Sequence, residues 1–174
     1  PQSGLSKADV VFEAVTEGGI TRFLAIFACV DDSKVGPIRS VRDYFVKLAA
    51  GFRAILAHAG GSPSGLAEIR QTTVYDLNHM RRYFWRVKFR PAPHNLYSTL
   101  SSLRTAAEKK GYPKTNQIGK IWRFKEESTV GGRPQITYVK IPFSSKRYLV
   151  EYYYDQKEKA WKRFLAGKPH QDLE

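Results

Sequence analysis

Beyond Tyr112 the chain loses its helical period. Four short runs, "IWRFKE", "PQITYVKIPFS", "KRYLVEYYYD" and "AWKRFLAG", are rich in aromatic and β-branched residues and are separated by polar turns. Such runs commit the last third of the chain to antiparallel strands. Before Tyr112, strand-like and helical segments alternate. The change of character sets a boundary near residue 112. It divides an α/β N-terminal domain, 1–112, from a β-rich C-terminal part, 113–174. The expected fold class is α/β or α+β: a mixed central sheet flanked by helices, followed by a smaller antiparallel β-rich part.

Within the first part, "ADVVFEAVTEGGITRFLAIFACV" reads as a hairpin around Gly18-Gly19. A two-residue turn there sets Val15 opposite Arg22, with Glu13 and Glu17 diagonal to it. Phe23 to Val30 is nearly all apolar, as in a strand buried on both faces. "AILAHAGG" reads as a second buried strand, so Phe23–Cys29 and Ala54–His58 are expected as interior strands of one sheet. "VGPIRSVRDYF" places a turn before a helix over Val41 to Ala50, with Ser40 and Asp43 spaced as a capping box and Gly51 as the stop. "SPSGLAEIR" is a short helix. "STLSSLRTAAEKKGY" is another, with Leu100, Leu103 and Ala107 inward and Gly111 beyond its end.

The charge balance narrows the partners. The 174 residues carry 29 Lys and Arg against 16 Asp and Glu, a net charge of +13. Such an excess implies an anionic partner or surface. Phosphate-bearing polymer, anionic lipid, nucleic acid and acidic protein all satisfy that requirement. The one cysteine, Cys29, excludes an intrachain disulfide and a Cys-based zinc cage. No stretch has the length of a transmembrane helix, and no signal peptide is visible. The abrupt opening "PQSGLS" and closing "QDLE" are expected of a piece of a longer protein, and the final Leu-Glu is either native or a vector scar.

Arg39 and Arg42 stand out because they sit at a helix N-terminus, where cations are disfavoured. An anion held by the backbone N–H groups and both guanidinium forks accounts for them. Salt bridges to Glu13, Glu17 or Asp43 also account for them, and the two arrangements can coexist. Arg22 on the hairpin, His58 at a strand end and the Gly60-Gly61 pair are further candidates for the same pocket. In "PAPHNLY", His94 offers a base or an anion donor and Asn95 an orienting amide or a turn cap.

Arg82, Arg86, Lys88 and Arg90 alternate with Tyr83, Trp85, Val87 and Phe89, and Phe84 breaks the cationic row. On a strand, same-side residues repeat about every 6.6–7 Å, close to the phosphate spacing of an extended polyanion. A solvated basic face over buried aromatics explains the same pattern. No HExxH, EF-hand loop or Cys–His cluster is present, and Asp31-Asp32 alone does not make a cation site. No cofactor or metal is expected.

Several blocks together resemble the YerB-like lipoprotein family of Gram-positive bacteria: Pro1–Phe27, "GPIRSVRDYF" at Gly36–Phe45, "HAGGSP" at His58–Pro63, "FWR" at Phe84–Arg86, "APHNLY" at Ala92–Tyr97 and "GKPHQD" at Gly167–Asp172. The resemblance implies an N-terminal and a C-terminal domain and an extracytoplasmic protein anchored through a lipid-modified cysteine upstream of Pro1. It implies no biochemical function. "RSVRD" followed by "AHAGG" is also similar in order to a run of the LytR-CpsA-Psr phosphotransferases. That likeness implies a pyrophosphate-holding role for Arg42, with Asp43 its neighbour and Arg39 an addition. Val41 stands where that family has proline, and the family's upstream Arg-Ser-Asp run has no clean match.

The expected function is that of an envelope domain binding a phosphate-bearing ligand, an anionic lipid head group or glycopolymer, through an arginine cluster. The alternative is a phosphotransferase acting on a pyrophosphate-linked intermediate, with Arg22, Arg39 and Arg42 neutralising developing charge. Nucleic-acid binding through residues 81–90 is the least favoured. The sequence sets neither the ligand nor the oligomeric state.

Overall fold

The computed structural model describes residues 1–28, 30, 33–114, 123 and 136–173. Along the chain the regular elements are β1 (Val10–Val15), β2 (Thr21–Ile26), β3 (Lys34–Val35), α1 (Asp43–Gly51), β4 (Ile55–His58), α2 (Pro63–Gln71), β5 (Tyr75–Asn78), β6 (Trp85–Arg86), β7 (Leu96–Thr99), α3 (Leu100–Lys109), β8 (Tyr138–Pro142), β9 (Leu149–Asp155), β10 (Ala160–Leu165) and β11 (Lys168–Pro169). This is a mixed α+β fold. It packs as two compact units: a β unit of Pro1, Val11–Leu24 and Lys120–Gln171, and an α/β unit of Gln2–Val10, Ala25–Gly119 and Asp172–Glu174.

In the β unit, β8, β9, β10 and β11 form one antiparallel sheet in the order β11-β10-β9-β8. Three of the four strand runs expected after Tyr112 are thus strands; "IWRFKE" lies outside the described residues except for Arg123. The hairpin supplies the rest of the unit. Thr16 N–H donates to Ile20 O at 2.7 Å, which leaves a three-residue loop, Glu17–Gly19. Gly18 and Gly19 turn it with φ of 69° and 71°, values that favour glycine. The loop is one residue longer than a two-residue turn, so the expected pairing of Val15 with Arg22 is displaced.

β2 pairs with β1 in a two-stranded ladder, and β4 pairs with β5. Phe23–Cys29 and Ala54–His58 are therefore not interior strands of one sheet. An apolar run needs cover on both faces, but side chains can supply it without flanking strands. Phe23 lies against the Arg163 guanidinium at 5.4 Å and the His170 ring at 6.1 Å.

The α/β unit is built on short ladders. β4, α2 and β5 form a βαβ crossover with β4 and β5 parallel, from Ile55 beside Tyr75 to His58 beside Asn78. β3, β7 and β6 form an antiparallel trio in that order. The extended segment 38–41 stitches the two together. Ile38 N–H donates to Leu96 O, Ala59 N–H to Arg39 O and Val41 N–H to Gly60 O, at 2.7, 3.1 and 3.0 Å. Mixed pairing is thus present, but spread over short pieces.

The segment's role corrects the reading of "RSVRD". Ser40 does not cap a helix: its hydroxyl donates to Ala59 O at 2.9 Å. Arg42, in extended conformation, is the N-cap residue, and α1 starts at Asp43. Strand pairing fixes Ser40 before helix geometry can use it. The apolar face survives the shift, with Val41, Phe45, Val46 and Ala49 buried. Leu77, Tyr83, Phe84, Leu96 and Ala106 form the core cluster beneath the ladders. Gly36 closes the segment's entry: a Cβ there would lie 2.6 Å from the Tyr97 ring, so only glycine fits.

The 82–90 row is also not one strand. Its strand is Trp85–Arg86 alone, paired with β7, and turns and bends hold most of the rest. Pro91 and Pro93 and the burial of Tyr83 and Phe84 break the period. The regular cation spacing expected of an extended strand does not exist.

Candidate anion site

Three of the candidate residues come together at the start of α1. Arg39 extends from segment 38–41, and its Nη1 donates to Pro93 O and to His94 Nδ1, both at 3.0 Å. A guanidinium cannot accept, so Nδ1 accepts and the ring proton sits on Nε2. His94 carries that proton on an exposed loop. Arg42 folds back on its own segment, with Nη1 donating to Val41 O at 2.9 Å and to Ser40 O at 3.3 Å. Asp43 opens the first turn of α1, where an acid complements the helix dipole.

Arg39 is the electrostatic centre of the group. Its pKa is lowered, first by burial and then by the Arg42 charge. Both causes disfavour the cation, and among the described residues no carboxylate pairs with Arg39 to offset them. The arrangement gathers cations and N–H donors around a half-buried guanidinium.

The other candidates go elsewhere. His58 is 2% exposed, and its Nδ1 and Nε2 face Gly60 O and Asp76 Oδ1, each at 2.7 Å. The Nε2 contact ties β4 to β5 and the Nδ1 contact holds the turn after β4, so both ring nitrogens are occupied. Gly60 and Gly61 continue the strand beside Val41, and Gly60 N–H donates to Asn78 Oδ1 at 3.0 Å. The diglycine is backbone architecture here. Asn95 turns away from His94: its Oδ1 accepts from Arg86 Nη1 at 2.7 Å and its Nδ2 donates to Val87 O at 3.2 Å. It clamps the loop that carries Arg86.

Arg82, Arg86 and Lys88 are exposed, and Arg90 lies 5.8 Å from the Phe89 ring centre. Arg22, Glu13 and Glu17 belong to the β unit. Glu13 does not orient Arg39 or Arg42: its Oε2 accepts from Arg163 Nη2 at 2.7 Å. Glu17 is exposed in the hairpin turn. Asp31 and Asp32 lie outside the described residues.

Sequence reasoning missed a polar cluster around Arg163. Arg163 pairs with Glu13, donates from Nε to Tyr152 OH at 3.2 Å and reaches His170 Nδ1. Its guanidinium also stands over the Phe23 and Tyr152 rings. The closing "GKPH" run was the available signal, because it carries His170.

Comparison with known proteins extends these observations. Residues 1–113 match the family described as "Protein of unknown function (DUF3048) N-terminal domain". "Putative lipoprotein YerB" of Bacillus subtilis (strain 168) is 38% identical over 170 residues, which is 96% of this chain and 51% of that protein. The chain thus spans about half the length of that relative. The crystal structure of YerB from Bacillus subtilis superposes with a TM-score of 0.84, covering 99% of this chain and 58% of that one. By sequence over nearly its whole length and by fold, the chain belongs to the DUF3048 family, alongside YerB.

Proposed function

We propose that this chain is the extracytoplasmic domain of a lipid-anchored envelope protein, and that its α/β unit binds a phosphate-bearing ligand through Arg39, Arg42 and His94. The ligand class is a lipid head group or an envelope glycopolymer phosphate. The observation that carries this reading is Arg39 itself: a half-buried cation beside a second arginine, whose hydrogen-bond partners among the described residues are neutral acceptors. A bound phosphate supplies a countercharge and accepts bidentate bonds from guanidinium forks. The lipoprotein name of YerB supports the anchored location.

Calorimetric titration with inorganic pyrophosphate and with glycerol phosphate tests the site. Both are expected to bind. At a hundredfold excess over Kd, binding stabilises the fold by about 2.7 kcal/mol. Arg39→Ala removes charge-assisted bonds and weakens binding by about 1.5–3 kcal/mol. No heat, no thermal shift, or equal binding by Arg39→Ala overturns the assignment.

A further inference from the structure

The described surface carries an aromatic tip ringed by cations, built from residues other than Arg39, Arg42 and His94. Between Asp76 and Glu108 the sequence has no acidic residue, while Arg81, Arg82, Arg86, Lys88 and Arg90 all fall in residues 81–90. Trp85 and Phe89 are 39% and 60% exposed. Both are placed against Tyr97: Trp85 lies opposite it on the β6–β7 ladder, and the Phe89 ring meets it edge-on at 5.9 Å. Tyr97 beneath them is fully buried. Lys34 Nζ and the Arg90 guanidinium stand 6.0 and 5.8 Å from the Phe89 ring centre. The loop is held from behind, because Asn95 fixes Arg86 and accepts on its backbone oxygen from Val87 N–H at 2.8 Å.

We propose that this tip is a membrane-docking surface, with Trp85 and Phe89 entering the interface of an anionic bilayer and Arg81, Arg82, Lys88 and Arg90 meeting its head groups. Two features select a bilayer over other anions. Trp and Phe side chains partition into the head-group boundary, where an apolar ring beside cations is favoured. The segment 77–107 that builds most of the tip carries charge of one sign, complementary to an anionic leaflet, and each cation near such a surface adds about fivefold in affinity. A solvated basic face has no use for a phenylalanine more than half exposed. The tip shares its loop with the arginine site, since Pro93 and His94 hold Arg39, so the variants below leave those two residues in place.

The test is co-sedimentation of the chain with vesicles of phosphatidylcholine alone and with phosphatidylglycerol added. Binding is expected only to the anionic vesicles. Lys88→Glu combined with Arg82→Glu should lower it at least tenfold, and Phe89→Ser at least threefold. Brominated acyl chains should quench tryptophan emission of the bound chain, and Trp85→Phe should remove that quenching. Circular dichroism confirms folding of each variant; should Phe89→Ser unfold, Phe89→Leu must retain binding. Failure to bind anionic vesicles overturns the proposal. So does loss on charge reversal with none in Phe89→Ser, which marks a polyanion surface such as one for nucleic acid. Pyrophosphate binding by the same variants reads the arginine site separately.

Discussion

Arg163 shows how one residue organises the β unit. Its side chain is 15% exposed and that of Glu13 is 9% exposed, so the pair is largely withdrawn from water. Glu13 Oε1 is buried with no hydrogen-bond partner among the described residues, which leaves Oε2 and its bond to Arg163 as the carboxylate's compensation. Removing one member of such a pair leaves an uncompensated buried charge. Arg163→Ala is therefore expected to lower stability by about 3–5 kcal/mol in urea unfolding. The double replacement of Arg163 by Met and Glu13 by Gln should recover most of it, since both charges then leave together. A loss below about 1 kcal/mol, the scale of surface pairs, would contradict the burial argument.

Among the elements, the β8–β9 pairing carries a feature that pH can read. Tyr138 and Tyr153 face each other across the ladder with ring centres 4.9 Å apart. Tyr138 OH donates to Glu151 Oε1 at 2.7 Å. That bond, followed by desolvation, pushes the Tyr138 phenol from its ordinary 10.0 up to about 12. The neutral phenol is the donor, so the bond's contribution to folding is complete below pH 10 and disappears as pH rises toward 12. Phenolate absorbance should show one tyrosine titrating late, and Glu151→Gln should return it toward the ordinary range. An unchanged titration in Glu151→Gln would assign the shift to another cause.

The same scale explains what the sequence could and could not show. α3 was readable because its apolar period, its end signal at Gly111 and its freedom from strand pairing agree, and β8, β9 and β10 were readable because each run is bounded by polar turns. β5 was not, because "YDLN" becomes a strand only by lying parallel to β4 across the α2 crossover. Residues 82–90 alternate in sequence yet lie mostly in turns, since core burial of Tyr83 and Phe84 outweighs the period. At the site, Arg39 and Arg42 were legible as cations misplaced near a helix start. Their contacts were not, because Pro93 and His94 reach Arg39 across more than fifty residues. Glu13 and Arg163 are separated by 150 residues, beyond any local pattern.

Over the whole molecule, a net charge of +13 attracts every anion, so bare affinity for phosphate-bearing ligands cannot separate the arginine site from the aromatic tip. Salt can. The Debye length falls from about 10 Å at 0.1 M to about 3 Å at 1 M, and screening acts most on exposed, separated charges. The tip presents several exposed cations to an extended surface. Arg39 is half-buried and would meet one compact anion at hydrogen-bond distance, where screening is weaker. Raising sodium chloride across that range should therefore collapse vesicle binding while lowering pyrophosphate affinity much less. The residual high-salt vesicle binding should be lost in Phe89→Ser, because apolar insertion is not screened and strengthens slightly as salt rises. If both affinities fall in parallel, the two surfaces act only through net charge, and neither built geometry contributes to recognition.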